Sequence, residues 1–345
     1  MDIAKIRDRD LIVSRDGIIF LAIGHFHQGK VTAGPKYISS ALFPTQHAPS
    51  FSYENQNYLW RIPNAFTQFV LDNFPHYHHF DPNFYLDRGI GIAPEHIHRV
   101  LRPEERLAFI LKEGPQNSIQ QRAIDLALIA KNANIPKNKL GVTSSMLIGA
   151  EVEGHSDVDF VVYGAKNFKK ITSALNKHPQ FRRFTKKEWK EYFDKYKLAE
   201  RFGLNFETFY QGSADKTDRG ILNGTQISIF SVRTPAEVRK HEPLDYSKKL
   251  GSIEIKASVI DSSQASFIPS IYSISKTQIL TNTDINPIDL KEIVSLNREW
   301  CAHARKGDII HVQGILQECH KKGKIFPRIL LGTPHSKKEF FVSLR

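Results

Sequence analysis

The chain has few cysteines, only Cys301 and Cys319 among 345 residues. Two cysteines cannot form a disulfide framework or a cysteine-rich metal site, and such scarcity is typical of proteins from a reducing compartment. No apolar run approaches the length that spans a membrane, and the charged start, Met1 to Asp10, is unlike a signal peptide. We therefore expect a cytoplasmic protein with no membrane partner.

Acidic residues are also scarce relative to basic ones. The chain carries 48 Lys and Arg against 36 Asp and Glu, a formal net charge of +12, which favours a polyanionic partner. Its 345 residues, 41% of them hydrophobic, exceed one ordinary core. We expect a β-rich region with long loops over residues 1–100, a central domain over 101–240 and a β-rich C-terminal domain over 241–345.

Two carboxylates stand two residues apart at the start of the apolar run from Ser156 to Tyr163. The alternation of Asp157 and Asp159 with Val158 and Phe160 predicts a β-strand. Side chains two apart on a strand point to the same face, so these carboxylates would repel each other unless a cation lay between them. Hard oxygen ligands of this kind suit Mg²⁺ or Mn²⁺.

A turn rich in hydroxyl groups, Gly141 to Ser145, precedes this strand, and Gly149 follows the turn. Together with Asp157-Val158-Asp159, the turn resembles the signature of the polymerase-β-like nucleotidyltransferase superfamily. The chain looks most like the predicted nucleotidyltransferases described as DNA polymerase β subunits. The Arg7-Asp8-Arg9-Asp10 opening and the strand from Gly17 to His27 are also similar to that group. The resemblance implies an α+β fold whose core is a mixed sheet with helices.

The same resemblance implies a site. Asp157 and Asp159 would bind Mg²⁺ or Mn²⁺, which bridges the phosphates of a nucleoside triphosphate. Hydroxyl and backbone N–H groups of the turn would hold the triphosphate. The residues in this nucleotide-binding set are Thr143, Ser144, Ser145 and Gly149.

Two positions depart from the pattern of the superfamily. Ser144 stands where its members have glycine, and a Cβ there would crowd a phosphate that approaches the backbone. The third carboxylate of the superfamily lies on a later strand. In this chain the best candidate strand is Gln226 to Phe230, and its matching position is Ser228. No acid stands there.

Other residues could complete the site. A strand predicted over Leu204 to Tyr210 carries Glu207, which would supply the third carboxylate, and Asp218 is the alternative. Arg219 is a candidate triphosphate contact, because a planar guanidinium binds phosphate bidentately. Ordinary surface charge is the competing interpretation for each of these residues.

The most basic stretch of the chain predicts a helix with an aromatic core stripe that includes Trp189 and Phe193. Its first cations would either contact a phosphate backbone or form a solvated helix face. They are Arg182, Arg183, Lys186 and Lys187. A second cluster, the histidines of the run Phe74 to Phe80 with His96 and His98, permits a metal site or contact with nucleotides in principle. The irregular spacing of these histidines favours a surface loop.

The remaining elements follow from periodicity. Leu290, Ile293 and Leu296 predict a helix over Asp289 to Ala304. Period-two runs near 251–259 and 307–315 predict a small barrel or sheet, to which the N-terminal hairpin could add strands. The other predicted elements are a strand over Gly17 to Ile23, loops over residues 40–65, and helices over Asn64 to Asn73, 103–133 and Asn167 to Asn176.

Three functions are consistent with these patterns. The first is a metal-dependent nucleotidyltransferase that acts on a nucleic acid, such as an RNA end, which the basic composition favours. The second is transfer of a nucleotide to a protein or a small molecule. The third is a protein that binds nucleotides or nucleic acid without catalysis, because Ser228 weakens the site for a second metal ion.

Overall fold

The computed structural model of the protein describes residues 2–43, 45, 49–60, 65–83, 89–333 and 339–344. Within these ranges the fold is mixed α and β, with three sheets and eight α-helices. The chain forms two units. Unit 1 comprises residues 1–81, 86–181 and 221–240, and unit 2 comprises residues 82–85, 182–220 and 241–345. None of the helices in the described ranges is long and apolar enough to cross a membrane.

The first sheet lies in unit 1 and uses the N-terminal hundred residues. Its strands are β1 (Leu11–Ser14), β2 (Ile18–Ala22), β3 (Val31–Ser39), β4 (Ser50–Tyr53), β5 (Gln56–Leu59), β6 (His78–His79), β7 (Gly89–Ile92) and β8 (Ile97–Leu101). They lie in the order β4-β5-β3-β2-β1-β8, with β7 paired to β3 and β6 to β7. The strand predicted over Gly17 to Ile23 is confirmed as β2.

The loop predicted over residues 40–65 is wrong in part, because it contains the hairpin of β4 and β5. Glu54 and Asn55 form its turn, and both have positive φ (46° and 62°). The polar residues near the turn made the alternating aromatic residues of the two strands hard to recognise in the sequence. Residues 44, 46–48 and 61–64 of this stretch, which include Asn64 of the predicted helix, lie outside the described residues.

The helices confirm most of the predicted helical periodicity, including the segments that flank the carboxylate pair. They are α1 (Ala65–Asn73), α2 (Pro103–Glu113), α3 (Ser118–Asn132), α4 (Ala165–Asn176), α5 (Lys186–Lys195), α6 (Leu198–Phe202), α7 (Phe206–Ser213) and α8 (Pro235–Val238). Proline at the first position of α2 and an asparagine cap on α3 mark where these two helices begin.

The second sheet carries the predicted site. Its strands are β9 (Leu140–Val142), β10 (Val158–Tyr163), β11 (Phe181–Arg182), β12 (Arg219–Leu222) and β13 (Thr225–Val232), in the order β11-β12-β13-β10-β9. Alternate residues of β10 and β13, such as Phe160 and Ile229, pack into one core with apolar residues of α3 and α4, including Leu126 and Ile171. The helices therefore cover one face of this sheet, and the carboxylate pair lies on the other.

The third sheet, in unit 2, is curled. Its strands are β14 (Tyr246–Gln264), β15 (Ser270–Ile279), β16 (Glu292–Ser295), β17 (Ile309–Lys321), β18 (Lys324–Leu331) and β19 (Phe340–Ser343). They lie in the order β14-β15-β16-β18-β17-β19, and β14 also pairs with β17, so the pairings return to β14. The N-terminal hairpin of β1 and β2 belongs to the first sheet, and the expectation that it completes this barrel is wrong.

Two predicted elements of unit 2 are wrong. The segment predicted as a strand over Leu204 to Tyr210 contains α7, which begins after Asn205, whose side chain accepts a hydrogen bond from the Thr208 N–H at 2.9 Å. The helix predicted over Asp289 to Ala304 is replaced by β16 and a short 3₁₀ turn at Arg298–Trp300. Pairing of β16 with both β15 and β18 outweighs its helical spacing.

Candidate functional site

Asp157 and Asp159 lie on the face of the second sheet opposite the α3–α4 core. Val158 and Phe160 are fully buried in that core, so the two carboxylates between and before them point the other way. Both aspartates are half-buried. Gln226 Nε2 donates a hydrogen bond to Asp157 Oδ2 at 3.3 Å. The strand predicted at the carboxylate pair is confirmed as β10, and Asp157 lies directly before its first residue.

The parallel pairing of β10 and β13 decides which residue stands beside Asp159. The register aligns Asp159 with Ser228 and Val161 with Phe230. Ser228 is 3% exposed and shares the carboxylate face. A buried hydroxyl group, and not an acid, therefore stands beside Asp159 on this face.

The turn after β9 lies directly against the carboxylate strand. The Thr143 N–H donates to the Asp159 carbonyl oxygen at 2.9 Å, and the Thr143 hydroxyl donates to the Arg9 carbonyl oxygen at 2.9 Å. Thr143, Ser144 and Ser145 are all buried. The turn is thus tied to β10 and to the N-terminal segment, and the Thr143 hydroxyl is already engaged within the fold.

Ser144 has a backbone conformation that favours glycine. Its φ is +58°, a left-handed conformation that costs a residue with a Cβ about 1 kcal/mol. A short 3₁₀ turn over Met146–Ile148 follows and ends at Gly149, whose φ is +69°. Gly149 is exposed, so the end of the turn is open to solvent.

The Arg7–Asp10 segment covers the part of this face beyond Asp159. The Arg7 guanidinium lies 4.6 Å from the centre of the Tyr163 ring, and the Arg9 guanidinium lies 4.3 Å from the centre of the Phe230 ring. Arg9 Nε also pairs with Asp8 at 3.2 Å. Sequence reasoning noted this segment only as part of a resemblance. The strict alternation of Arg and Asp was the available signal.

Buried charges surround Asp10 in this segment. Burial raises the pKa of the Asp10 carboxyl to about 7, although Arg7 and Arg102 oppose the shift. Arg7 Nη2 also pairs with Glu104 at 2.6 Å, and the Tyr163 hydroxyl donates to the same carboxylate at 2.6 Å. The segment is therefore bound to α2 by the ion pair with Glu104, and it contacts β10 through the Tyr163 ring.

Arg106 of α2 is a second cation that sequence reasoning missed. Its Nε donates to the Met146 carbonyl oxygen at 3.0 Å. Its Nη2 lies 3.4 Å from the point where a Cβ on Gly149 would stand. A half-buried guanidinium therefore lies at the open end of the hydroxyl turn. No motif in the sequence distinguishes Arg106 from other helix cations.

Among the described residues, no third carboxylate, imidazole or thiol joins the carboxylate pair. No His, Cys, Asp or Glu in those ranges forms a three-ligand group with Asp157 or Asp159 within 4.8 Å. Glu207 belongs to unit 2, where it is exposed on α7 and pairs with Lys186 at 2.9 Å. The donor set present thus fits one Mg²⁺ or Mn²⁺ ion with two carboxylates, and lacks the ligand for a two-metal arrangement.

Arg219 is buried within unit 2, so the competing interpretation of this residue as ordinary surface charge is wrong. It is 1% exposed, and its Nη1 pairs with Glu299 Oε2 at 3.0 Å. Asp218 is also buried, 3.7 Å from Arg219 Nε. Burial opposes ionisation of Glu299, but the charges of Arg219 and Lys216 prevail and hold the pKa of Glu299 at about 2. Arg219 could reach a triphosphate only if this buried ion pair broke.

The four predicted phosphate contacts also belong to unit 2, and three of them have carboxylate partners there. Arg182 binds Glu188 through two hydrogen bonds of 2.7 and 2.8 Å. Arg183 pairs with Asp215 at 3.1 Å, and Lys186 pairs with Glu207. Lys187 is exposed on the first turn of α5. Trp189 and Phe193 are buried, which confirms the predicted core stripe.

Comparisons with known proteins name no family. No family model matches the chain, and no solved structure matches it. The uncharacterized protein MJ1086 of Methanocaldococcus jannaschii is 25% identical over 350 residues, which cover 99% of each chain. The chain is therefore similar over nearly its whole length to an archaeal protein, whose description names no activity.

Proposed function

We propose that the protein is a metal-dependent nucleotidyltransferase that transfers a nucleotide from a nucleoside triphosphate to an acceptor, with an RNA end as the acceptor. One observation carries this proposal. Asp157 and Asp159 share one strand face, and the Thr143–Ser145 turn is hydrogen-bonded to that same strand. Paired carboxylates beside a polar turn are the minimum needed to bind a divalent ion and a polyphosphate together.

Each residue of the site has a distinct part in this proposal. Asp157 and Asp159 would hold Mg²⁺ or Mn²⁺, which, when bound, neutralises charge on the phosphates. Ser144 and Ser145 would orient the triphosphate through hydroxyl and backbone N–H groups. Arg106, at the open end of the turn, would add a guanidinium contact to a phosphate oxygen. Thr143 would position the turn, because its hydroxyl is bonded to Arg9.

Ser228 supports two further candidate functions. Without a carboxylate beside Asp159, no group on β13 would help to deprotonate an acceptor hydroxyl. The acceptor would then need to supply a more acidic nucleophile, as a protein or a small molecule could, or the chain would bind nucleotides without turnover.

The net charge of the chain and the fold of unit 2 favour a nucleic acid, rather than a protein or a small molecule, as the acceptor. The net charge of +12 attracts polyanions. Unit 2 contains a curled sheet whose pairings return to the first strand. Small β-barrels often bind nucleic acid, so this six-stranded sheet is a candidate RNA-binding surface.

The test is label transfer from each nucleoside triphosphate, with Mg²⁺ or Mn²⁺, to total RNA or total protein. We expect metal-dependent labelling of RNA by the unaltered chain and at least a hundredfold less with Asp157→Asn/Asp159→Asn. The matched control, Asp284→Asn/Asp289→Asn, removes the same charge from two exposed positions and should label normally.

Each alternative predicts a different result in the same assay. Label in protein rather than RNA would favour the second candidate function. Triphosphate binding with no label would favour the third. Equal label with the unaltered chain and with the Asp157/Asp159 variant would exclude the carboxylate pair as the site.

A further inference from the structure

Three ligand-type side chains from distant parts of the sequence meet at one edge of the first sheet. Asp16 lies in the turn between β1 and β2, and His76 and His96 lie in short 3₁₀ turns, Pro75–Tyr77 and Pro94–His96. One ligand atom of each lies within 4.8 Å of the other two. Asp16 Oδ2 and His76 Nε2 are 3.0 Å apart, and the His76 and His96 rings lie 4.3 Å apart between centres.

The fold brings these residues together through the register of β1 and β8. Ser14 pairs with Ile97 in that antiparallel register, which sets the turn with Asp16 beside His96. The Arg15 N–H donates to the His96 carbonyl oxygen at 3.0 Å. Lys30 Nζ donates to the carbonyl oxygen of His76 at 2.7 Å and so fixes the third segment. The backbones that carry all three side chains are therefore held by contacts independent of any ligand.

Two neighbouring side chains contact the Asp16 carboxylate, and one of them is His76. The Tyr77 hydroxyl donates to Asp16 Oδ2 at 2.6 Å, as outer-shell groups orient ligating carboxylates. Side chains of Asp16 and His76 are 31% and 37% exposed, so solvent and an ion can reach them.

We propose that Asp16, His76 and His96 form a binding site for a divalent cation of the zinc class. Two imidazoles and one carboxylate suit Zn²⁺ or Co²⁺ better than Mg²⁺, and three protein ligands leave a position for water. The ion would replace the hydrogen bond between Asp16 and His76 and join three segments of the first sheet. This site is separate from the Asp157–Asp159 pair and does not depend on the proposed transfer activity.

The test is titration of the chelator-treated, full-length protein with Co²⁺, followed by its visible d–d absorption and by calorimetry with Zn²⁺. We expect one saturable ion and a Zn²⁺-dependent rise in the midpoint of thermal unfolding. His76→Gln and His96→Gln should each weaken binding by more than the roughly 10–100-fold expected for the outer-shell change Tyr77→Phe. Asp16→Asn should do the same.

Two controls distinguish Co²⁺ binding at this site from Co²⁺ binding to any exposed histidine and from Co²⁺ binding to the carboxylate pair. His98→Gln removes an exposed imidazole two residues from His96, and Asp157→Asn/Asp159→Asn removes the other carboxylates. Both variants should keep the Co²⁺ spectrum. Circular dichroism should show that every variant is folded. Absence of a saturable spectrum, or equal loss with His98→Gln, would overturn the proposal.

Discussion

Ser228 lies beside Asp159 across two parallel strands and is almost fully buried. A side chain at position 228 lies on the same sheet face as Asp159. The residue type at this position therefore decides whether the face carries two or three carboxylates. With serine, two acids remain, which suits one divalent ion. An acid at position 228 would recreate the three-carboxylate set of the superfamily that the chain resembles.

The variant Ser228→Asp tests this geometry directly. Without metal, a buried carboxylate beside Asp159 should destabilise the fold by about 2–3 kcal/mol, through desolvation and like-charge repulsion. Mg²⁺ or Mn²⁺ should restore much of that stability, because the ion binds only the folded arrangement. Thermal unfolding with and without metal measures both effects.

Ser228→Asn is the matched control, since it has nearly the same shape as Ser228→Asp and no charge. It should respond to metal no more than the unaltered chain does. If both variants behave alike, the side chain at position 228 does not face the carboxylate pair.

At the scale of elements, the ion pair of Arg219 and Glu299 joins β12 to the 3₁₀ turn at Arg298–Trp300 within unit 2. Lys216 adds to it by donating to the carbonyl oxygens of Glu299 and Cys301 at 2.6 and 3.0 Å. Removal of one partner from a buried pair leaves an uncompensated charge, which is strongly destabilising. Arg219 therefore contributes to the stability of unit 2.

The pH dependence of stability checks this pair. The pKa of Glu299 falls from its ordinary value of 4.5 to about 2 in the folded chain. Because the folded value is the lower one, the stabilisation is complete above pH 4.5 and is lost as the pH falls from 4.5 to 2. The loss amounts to about 3 kcal/mol.

Glu299→Gln should remove this pH dependence and lower the free energy of unfolding at pH 7 by about 3–5 kcal/mol. Denaturant unfolding of both proteins from pH 7 down to the lowest pH at which they stay folded measures the difference. Glu200→Gln, at an exposed position of α6, is the control and should leave the profile unchanged. An unchanged profile for Glu299→Gln would contradict the buried pair.

At the scale of the whole molecule, the net positive charge of +12 would attract RNA. Some of the cations that carry this charge form ion pairs with carboxylates of the same chain. Lys186 and Lys187 are neighbours on α5, and among the described residues a carboxylate partner, Glu207, is found for Lys186 alone. An RNA phosphate would have to compete with that carboxylate for Lys186. It would meet no such competition at Lys187.

These neighbours allow a controlled test of RNA binding. The logarithm of the binding constant for a single-stranded RNA should fall linearly with the logarithm of salt concentration. Lys187→Ala should reduce the magnitude of that slope by about one, and Lys186→Ala should reduce it less. A slope that neither substitution changes would place the RNA elsewhere on the protein.

Much of the carboxylate site could be predicted from the sequence, because its pattern is local. Alternation places Asp157 and Asp159 on one strand face whatever the strand packs against. The position of Ser228 opposite them also follows from the strand pattern of Gln226 to Phe230. Arg106 could not be found in this way, since its place at the turn depends on how α2 packs against β9.

The sequence alone determined the basic charge, most helices, and the strands that carry the carboxylate pair, because composition and periodicity act over a few neighbouring residues. Only the tertiary structure decided two matters that depend on contacts between distant segments. It buried Arg219 against Glu299, and it brought Asp16, His76 and His96 together. Strand register and burial set such distances, and neither is a property of a short stretch of chain.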